Sequence, residues 1–373
     1  MQTIYYKESL PMMSYIFSIF IASILSYSLS YFFLKNADKL RQKRNTYAER
    51  VKLHKKYVPR LGGLALYLAF CVTFPAVIVL NRYSISFDVN KIIGLFIASL
   101  LVVGTGVYDD LVKRLSYKVK FAFQVLAALV LVLAGYNIQT ISIPFLPNLS
   151  VGVLGPVFVV LWMLVIMNAV NLIDGLDGLA SGVCLIAGAG FFIISAVKAD
   201  IFVLTALAVF LGVILGFLRF NIYPAKLFLG DSGSLFLGFM MGIIALEISV
   251  KRATVISMAI PMLTLFIPVA SVFFTFTRRI ATARNPFKPD SMHLHYRLIR
   301  AGISHKNTVY IFYMVTFIYM LFGLWCYFSP VMYELAIIIV AGMVMLAFYV
   351  WALRFINLKK SYKREQHGRY KEL

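Results

Sequence analysis

Long apolar stretches run through nearly the whole chain, broken only by short polar segments. A lipid bilayer is therefore the solvent in which most of it must fold. Of 373 residues, 61% are hydrophobic and only 14% charged, which excludes the soluble globular classes. With roughly 20 apolar residues per span, eleven spans are expected: 11–34, 61–80, 90–108, 120–137, 151–170, 180–197, 201–220, 234–250, 254–276, 308–328 and 331–353. The 234–250 stretch is the shortest and carries Glu247 near its end. The expected fold is all-α, a polytopic integral membrane protein of about eleven transmembrane helices. No repeat, low-complexity tract or linker divides it, so a single domain over 1–373 is expected, with a basic tail over 357–373.

Charge orients this bundle. The alternate polar segments 35–60, 109–120, 219–233 and 277–307, with the tail from Arg354, hold 30 of the 36 Lys and Arg residues. The other side keeps Lys7, Arg82, Lys91, Lys198, Lys251 and Arg252. Basic loops stay cytoplasmic, which puts the N-terminus outside and the C-terminus inside. The first stretch, followed by KNADKLRQKR, reads as a retained span rather than a cleaved signal. The net charge of +21 is then a property of topology and of a surface facing anionic headgroups, not of nucleic-acid binding. Cys71, Cys184 and Cys326 all fall inside expected spans and read as packing residues.

Five of the fifteen acidic residues lie in three short segments on that same basic side. Asp109 and Asp110 follow the third span, where the helix dipole disfavours them by a few tenths to about 1 kcal/mol each. Lys113, Arg114, Lys118 and Lys120 come close behind, and Lys120 and Gln124 share one helical face. In NAVNLIDGLDGLASG, Asn168, Asn171, Asp174 and Asp177 recur every three residues and would all align on a 3₁₀ turn. Two amides and two carboxylates make a hard-oxygen set suited to Mg²⁺ or Mn²⁺ and to sugar or nucleotide hydroxyls. Gly175 and Gly178 permit close approach of a ligand to the backbone.

In FNIYPAKLFLGDSGS, Asp231 sits between two glycines just before the eighth span, as a helix cap or beside a metal-bridged diphosphate. Asn221, Lys226 and Phe228 add an amide, a cation and a stacking surface. His293, His295 and Arg297 in PDSMHLHYRL point the same way if that segment is extended, and suit phosphate oxygens better than zinc. His54, Arg60 and the Gly62–Gly63 pair in HKKYVPRLGG offer a lipid-phosphate gateway, on a weaker signal.

Together VPRLGG, DDL with Lys120 and Gln124, NAVNLIDGLDGLA, FNIYPAKLFLGDSGS and PDSMHLHYRL resemble, in order, the motifs of the polyprenyl-phosphate N-acetylhexosamine-1-phosphate transferases. The resemblance runs from about residue 50 to 310 and is strongest to the bacterial undecaprenyl-phosphate N-acetylglucosamine-1-phosphate branch. It implies a bacterial cytoplasmic-membrane enzyme with its cleft on the cytoplasmic side, usually dimeric. Such an enzyme transfers a sugar 1-phosphate from a UDP-N-acetylhexosamine to undecaprenyl or another polyprenyl phosphate, with Mg²⁺ as cofactor. Carried over, Asp109, Asp110, Asp174, Asp177 and Asp231 are the expected catalytic residues. Asp231 and Asn171 are expected to face the metal. Lys120, Asn168, Asn171, Asn221, Lys226, Phe228, His293, His295 and Arg297 are expected to bind substrate. Two positions depart from the family pattern: Tyr296 stands where its HxHHR loop has a last histidine, and Ser271 where its P-x-x-D-T has the acid.

Other classes fit less well. A CDP-alcohol phosphatidyltransferase would carry D-G-x2-A-R, but Asp177-Gly178 is followed by Leu-Ala-Ser. A transporter or flippase of lipid-linked glycans would place ionisable groups near mid-span within internal repeats. A lipid-binding scaffold has no use for five clustered aspartates.

Overall fold

The computed structural model describes residues 12–37, 58–80, 88–112, 114–138, 140–141, 149–150, 152–197, 200–250, 261–271, 279, 293–330, 333, 336–344 and 346–347. The chain is an all-α polytopic membrane protein. Eight described helices are long and apolar enough to cross a bilayer. Their elements are α1 (Met12–Lys35), α2 (Gly62–Leu80), α3 (Val89–Leu111), α5 (Gly155–Ile173, entered through a 3₁₀ turn), α6 (Leu179–Val197), α7 (Ile201–Asn221), α8 (Gly230–Val250) and α10 (His305–Phe328). Between them lie α4 (Tyr117–Leu133), the short α9 (Leu294–Arg300), and a two-residue antiparallel pairing of β1 (Thr140–Ile141) with β2 (Leu149–Ser150). The expected spans over 254–276 and 331–353 are described only in part, at 261–271 and at 333, 336–344 and 346–347, and the tail and His54 lie outside the described residues.

Helix starts follow local capping chemistry. Asp88 accepts the Asn90 amide at 2.9 Å, Ser116 the Val119 amide at 3.4 Å and Ser304 the Asn307 amide at 3.2 Å, each taking a donor the first turn leaves unpaired. At one end of the bundle the helices outrun the apolar stretches. α3 continues through Asp109 and Asp110, α5 through Asn171, and α8 begins at Gly230. The DD pair is thus the last turn of a helix and Asp231 the first turn of another, rather than loop residues outside them.

The core is organised around α8, whose described side chains are all buried except the partly exposed Asp231. α3 and α5 run antiparallel to it. The Trp162 indole donates to the Gly242 carbonyl at 2.9 Å along α5, and Lys91 meets Glu247 at the far end of α3. Glycine lets the backbones close in near the start of α8. A Cβ on Gly106 would lie 2.5 Å from the Ser232 nitrogen, and one on Gly63 would lie 2.5 Å from the Gly233 Cα. On the periphery, α1 presents Met13, Phe17, Phe20, Ile24 and Tyr31 outward on one face, an apolar surface suited to lipid.

Candidate active site

The three acid-bearing segments converge where α3 and α5 end against the start of α8. The negative ends of two helix dipoles meet the positive end of a third, which offsets the cost of carboxylates at the end of α3. Asp109, Asp110 and Asp231 each offer an oxygen within 4.8 Å of the others. This is the one group of three or more possible metal-ligating side chains among the described residues.

The three acids have different partners. Asp110 caps α8 from outside the helix: one carboxylate oxygen accepts the Asp231 amide at 3.1 Å, the other the Ser232 amide at 3.0 Å and the Ser232 hydroxyl at 2.8 Å. The cap is therefore supplied by α3, not by Asp231 or a serine of its own segment. Gly230, at φ +73°, makes the sharp entry that this contact needs; a Cβ there would sit 2.9 Å from the Asp110 carboxyl carbon. Asp109 accepts the Leu115 amide at 2.6 Å and meets the Lys120 ammonium at 3.0 Å. Lys120 also hydrogen-bonds Asp231, so a single ammonium ties the end of α3 to the start of α8. Its four-carbon stem turns inward to these acids instead of snorkelling outward.

The row Asn168, Asn171, Asp174, Asp177 does not share one face. α5 stops at Ile173, Asp174 leaves helical geometry, and the four side chains go to four places. Asn168 donates to Gln124 at 2.6 Å on α4, one turn beyond Lys120. Asn171 donates to Ser234 at 2.8 Å, inside the first turns of α8. Asp174 remains partly accessible beside the acid cluster. Burial, and then the charges of Asp231, Asp110 and Asp177 working against Arg60, push its carboxyl up to about 8. Asp177 turns away: its carboxylate accepts the Ala225 amide at 2.9 Å.

Asn221 likewise serves the 222–227 loop, accepting the Ser181 hydroxyl at 2.7 Å and donating to the Leu227 carbonyl at 3.1 Å. Lys226 is exposed at that loop's edge, its amide on the Phe220 carbonyl at 2.8 Å. Phe228 is tied by its backbone to the first-loop motif: its amide donates to Pro59, and its carbonyl accepts from Gly62 at 3.0 Å. Residues 58–63 are thereby strapped beside Asp231, with Arg60 within electrostatic reach of Asp174.

The histidine segment is helical, not extended. His293 precedes α9, and at roughly 100° per residue Arg297 returns to the side of His293 while His295 diverges. The His293 and His295 rings are 5.7 Å apart and nearly parallel. His295 is 1% exposed, with its Nε2 unpartnered and directed at Gly175. Burial, then the His293 and His305 imidazoles, push it down to about 3, so it stands neutral. Arg297 is half-buried on α9. Sequence reasoning missed Ser232 and Ser234, which bind Asp110 and Asn171, although both lie inside the GDSGS motif that singled out Asp231.

Comparison with known proteins agrees with this geometry. Residues 92–249, which span α3 to α8, match the model of glycosyl transferase family 4. A Bacillus subtilis protein described as a probable undecaprenyl-phosphate N-acetylglucosaminyl 1-phosphate transferase is 34% identical over 72% of this chain and 73% of its own length. A decaprenyl-phosphate N-acetylglucosaminephosphotransferase of Mycobacterium leprae is 32% identical over 72% of this chain and 73% of its own. A phospho-N-acetylmuramoyl-pentapeptide-transferase of Clostridium beijerinckii is 32% identical over 83% and 93%. With the acid cluster assembled inside the matched region and relatives of this identity aligned over most of their length, the chain belongs to glycosyl transferase family 4.

Proposed function

We propose that this protein transfers N-acetylglucosamine 1-phosphate from its UDP-sugar to undecaprenyl or another polyprenyl phosphate, releasing UMP. The observation that carries the reading is the Asp109–Asp110–Asp231 cluster with Lys120 inside it, at the end of a bundle whose flanks face lipid. The excess of Lys and Arg in the segments at this end supports a cytoplasmic placement in the bacterial inner membrane.

The donor set fits Mg²⁺: hard carboxylate oxygens converge, and a cation already occupies the space between two of them. Asp231 would hold the metal, because both oxygens of Asp110 are engaged by α8 and those of Asp109 by the Leu115 amide and Lys120. When bound, the ion would neutralise charge on the diphosphate.

In the transfer, an oxygen of the lipid phosphate forms a bond to the sugar-bearing phosphorus. The bond from that phosphorus to the bridging oxygen breaks, and the bridging oxygen leaves with UMP. Asp109, at the lipid-facing helix α3, is placed to accept a proton from a protonated lipid phosphate. Lys120 shifts from the carboxylates to phosphate oxygens as these arrive. The start of α8 adds its positive dipole end to the same anionic group. Neutral His295 lies buried against Gly175, behind the connector that carries Asp174.

The test is UMP release by the purified protein supplied with undecaprenyl phosphate, Mg²⁺ and a panel of UDP-sugars. Turnover with UDP-N-acetylglucosamine is expected. The Clostridium relative makes a UDP-N-acetylmuramoyl-pentapeptide the alternative donor to include. Absence of UMP with every donor would remove the proposal.

A further inference from the structure

The connector between α5 and α6, residues 174–178, carries Asp174 and Asp177 on a backbone containing two glycines, one of them Gly178 at φ +77°. Such a segment is intrinsically loose. Three of its backbone polar groups are held from outside, all by side chains of one stretch of chain. The Tyr296 hydroxyl of α9 donates to the Gly175 carbonyl at 3.2 Å. The Asp177 amide donates to His305 Nε2 at 3.0 Å, at the first residue of α10. The Tyr313 hydroxyl, two turns further along α10, donates to the Gly178 carbonyl at 2.5 Å.

His305 grips on two sides. Its ring stacks on Tyr223, centroids 4.6 Å apart and planes 29° from parallel. Tyr223 belongs to the loop whose Ala225 amide is taken by the Asp177 carboxylate. Backbone and side chain of Asp177 are therefore both fixed against one loop. Since Nε2 accepts this hydrogen bond, it carries no proton there. The fit around the glycines is close: a Cβ on Gly175 would lie 2.8 Å from the Tyr296 hydroxyl.

We propose that Tyr296, His305 and Tyr313 form a three-point clamp that sets the conformation of the 174–178 connector, making them positioning residues for the transfer reaction. The proposal rests on the transferase reading above. Their hydrogen bonds described above go to the connector backbone, and they act by fixing it, and so the distance of Asp174 from the Asp109–Asp110–Asp231 cluster. A misplacement of about 1 Å in such a group can cost up to roughly 10²-fold in rate.

The experiment compares wild type with His305→Ala, His305→Gln, Tyr296→Phe and Tyr313→Phe in UMP release, with kcat and KM measured separately. Amide hydrogen exchange over 174–178 is recorded in parallel. His305→Ala is expected to lower kcat about tenfold or more, with a smaller change in KM, and to speed exchange of the Asp177 amide. His305→Gln, whose side-chain oxygen can accept the same N–H, is expected to recover most of the loss. Tyr296→Phe and Tyr313→Phe should each give a partial loss. Wild-type kcat and exchange in His305→Ala, or a glutamine variant as impaired as the alanine one, would overturn the clamp. If wild type releases no UMP from any donor, the transferase reading fails. Exchange then decides the clamp alone: faster exchange in His305→Ala supports it and unchanged protection refutes it.

Discussion

Helices α3 and α8 lie antiparallel, and their two ends treat charge in opposite ways. At the far end Lys91 and Glu247 pair at 2.6 Å, with the ammonium 4.9 Å above the Tyr136 ring and the Tyr136 hydroxyl on the Lys91 carbonyl. One cation meets one anion, and each has its partner. At the other end three carboxylates lie together and one lysine bridges two of them. The first arrangement is complete and holds two helices together. The second carries excess negative charge at a place where desolvation makes that costly, and the proposed transfer reading rests on that imbalance.

The largest effect should come from the crowded end. Asp231→Asn is expected to lower kcat by roughly 10²-fold or more, with little loss of thermal stability, since Lys120 keeps Asp109 as partner. Chelation of divalent ions should mimic it. Wild-type UMP release in that variant would break the contrast between the two ends.

Asp110→Asn should separate a cap from a ligand. In either orientation the amide NH₂ would confront an N–H donor, of Asp231 or of Ser232, so the unfolding midpoint should fall together with activity. Loss of an N-cap costs about 0.5–2 kcal/mol, and a charge-assisted one lies toward the top of that range. A variant that loses turnover with no change in midpoint would return Asp110 to direct chemistry.

The third test is a pH dependence. Asp174 is raised in the folded protein to about 8, so the fold favours its protonated form. Its contribution is fully present below the ordinary carboxylate range and is lost as pH rises through 8. The midpoint of the chelator-treated protein should therefore fall between about pH 4 and 8, and Asp174→Asn should flatten the fall. An equally steep fall in the variant would assign it to other groups.

The smallest effect belongs to the far end. Glu247→Gln should lower stability by about 1–2 kcal/mol, between exposed and buried ion pairs. Its kcat should stay within twofold of wild type. A large kcat loss would mean that the two ends are coupled along α3 and α8.

Much of this was legible in the chain itself. Apolar length gave nine helices within a few residues of their observed bounds, because a span needs about 20 residues whatever its neighbours are. Only the ends moved: at the site polar residues continue α3, α5 and α8 beyond the apolar stretches, and at the opposite end α4 stops four residues early and α5 starts four late. The convergence of Asp109, Asp110 and Asp231 was also readable, since all three fall on the same side of an alternating topology. Side-chain direction was less accessible. The three-residue rhythm of Asn168, Asn171, Asp174 and Asp177 implied a shared face, but it is split by the end of α5. The two-residue rhythm of His293, His295 and Arg297 implied a strand and became a helix.

The sequence by itself determined which segments are membrane helices and which ends of them carry acid, because hydrophobicity and charge are summed along the chain. Only the tertiary structure decided that Asp110 caps α8 while Asp231 stays partly exposed, and that Asp177 holds a loop while Asp174 faces the cluster. Those outcomes depend on which helix terminus or backbone amide lies opposite each carboxylate. Periodicity within one helix carries no record of what its neighbour presents.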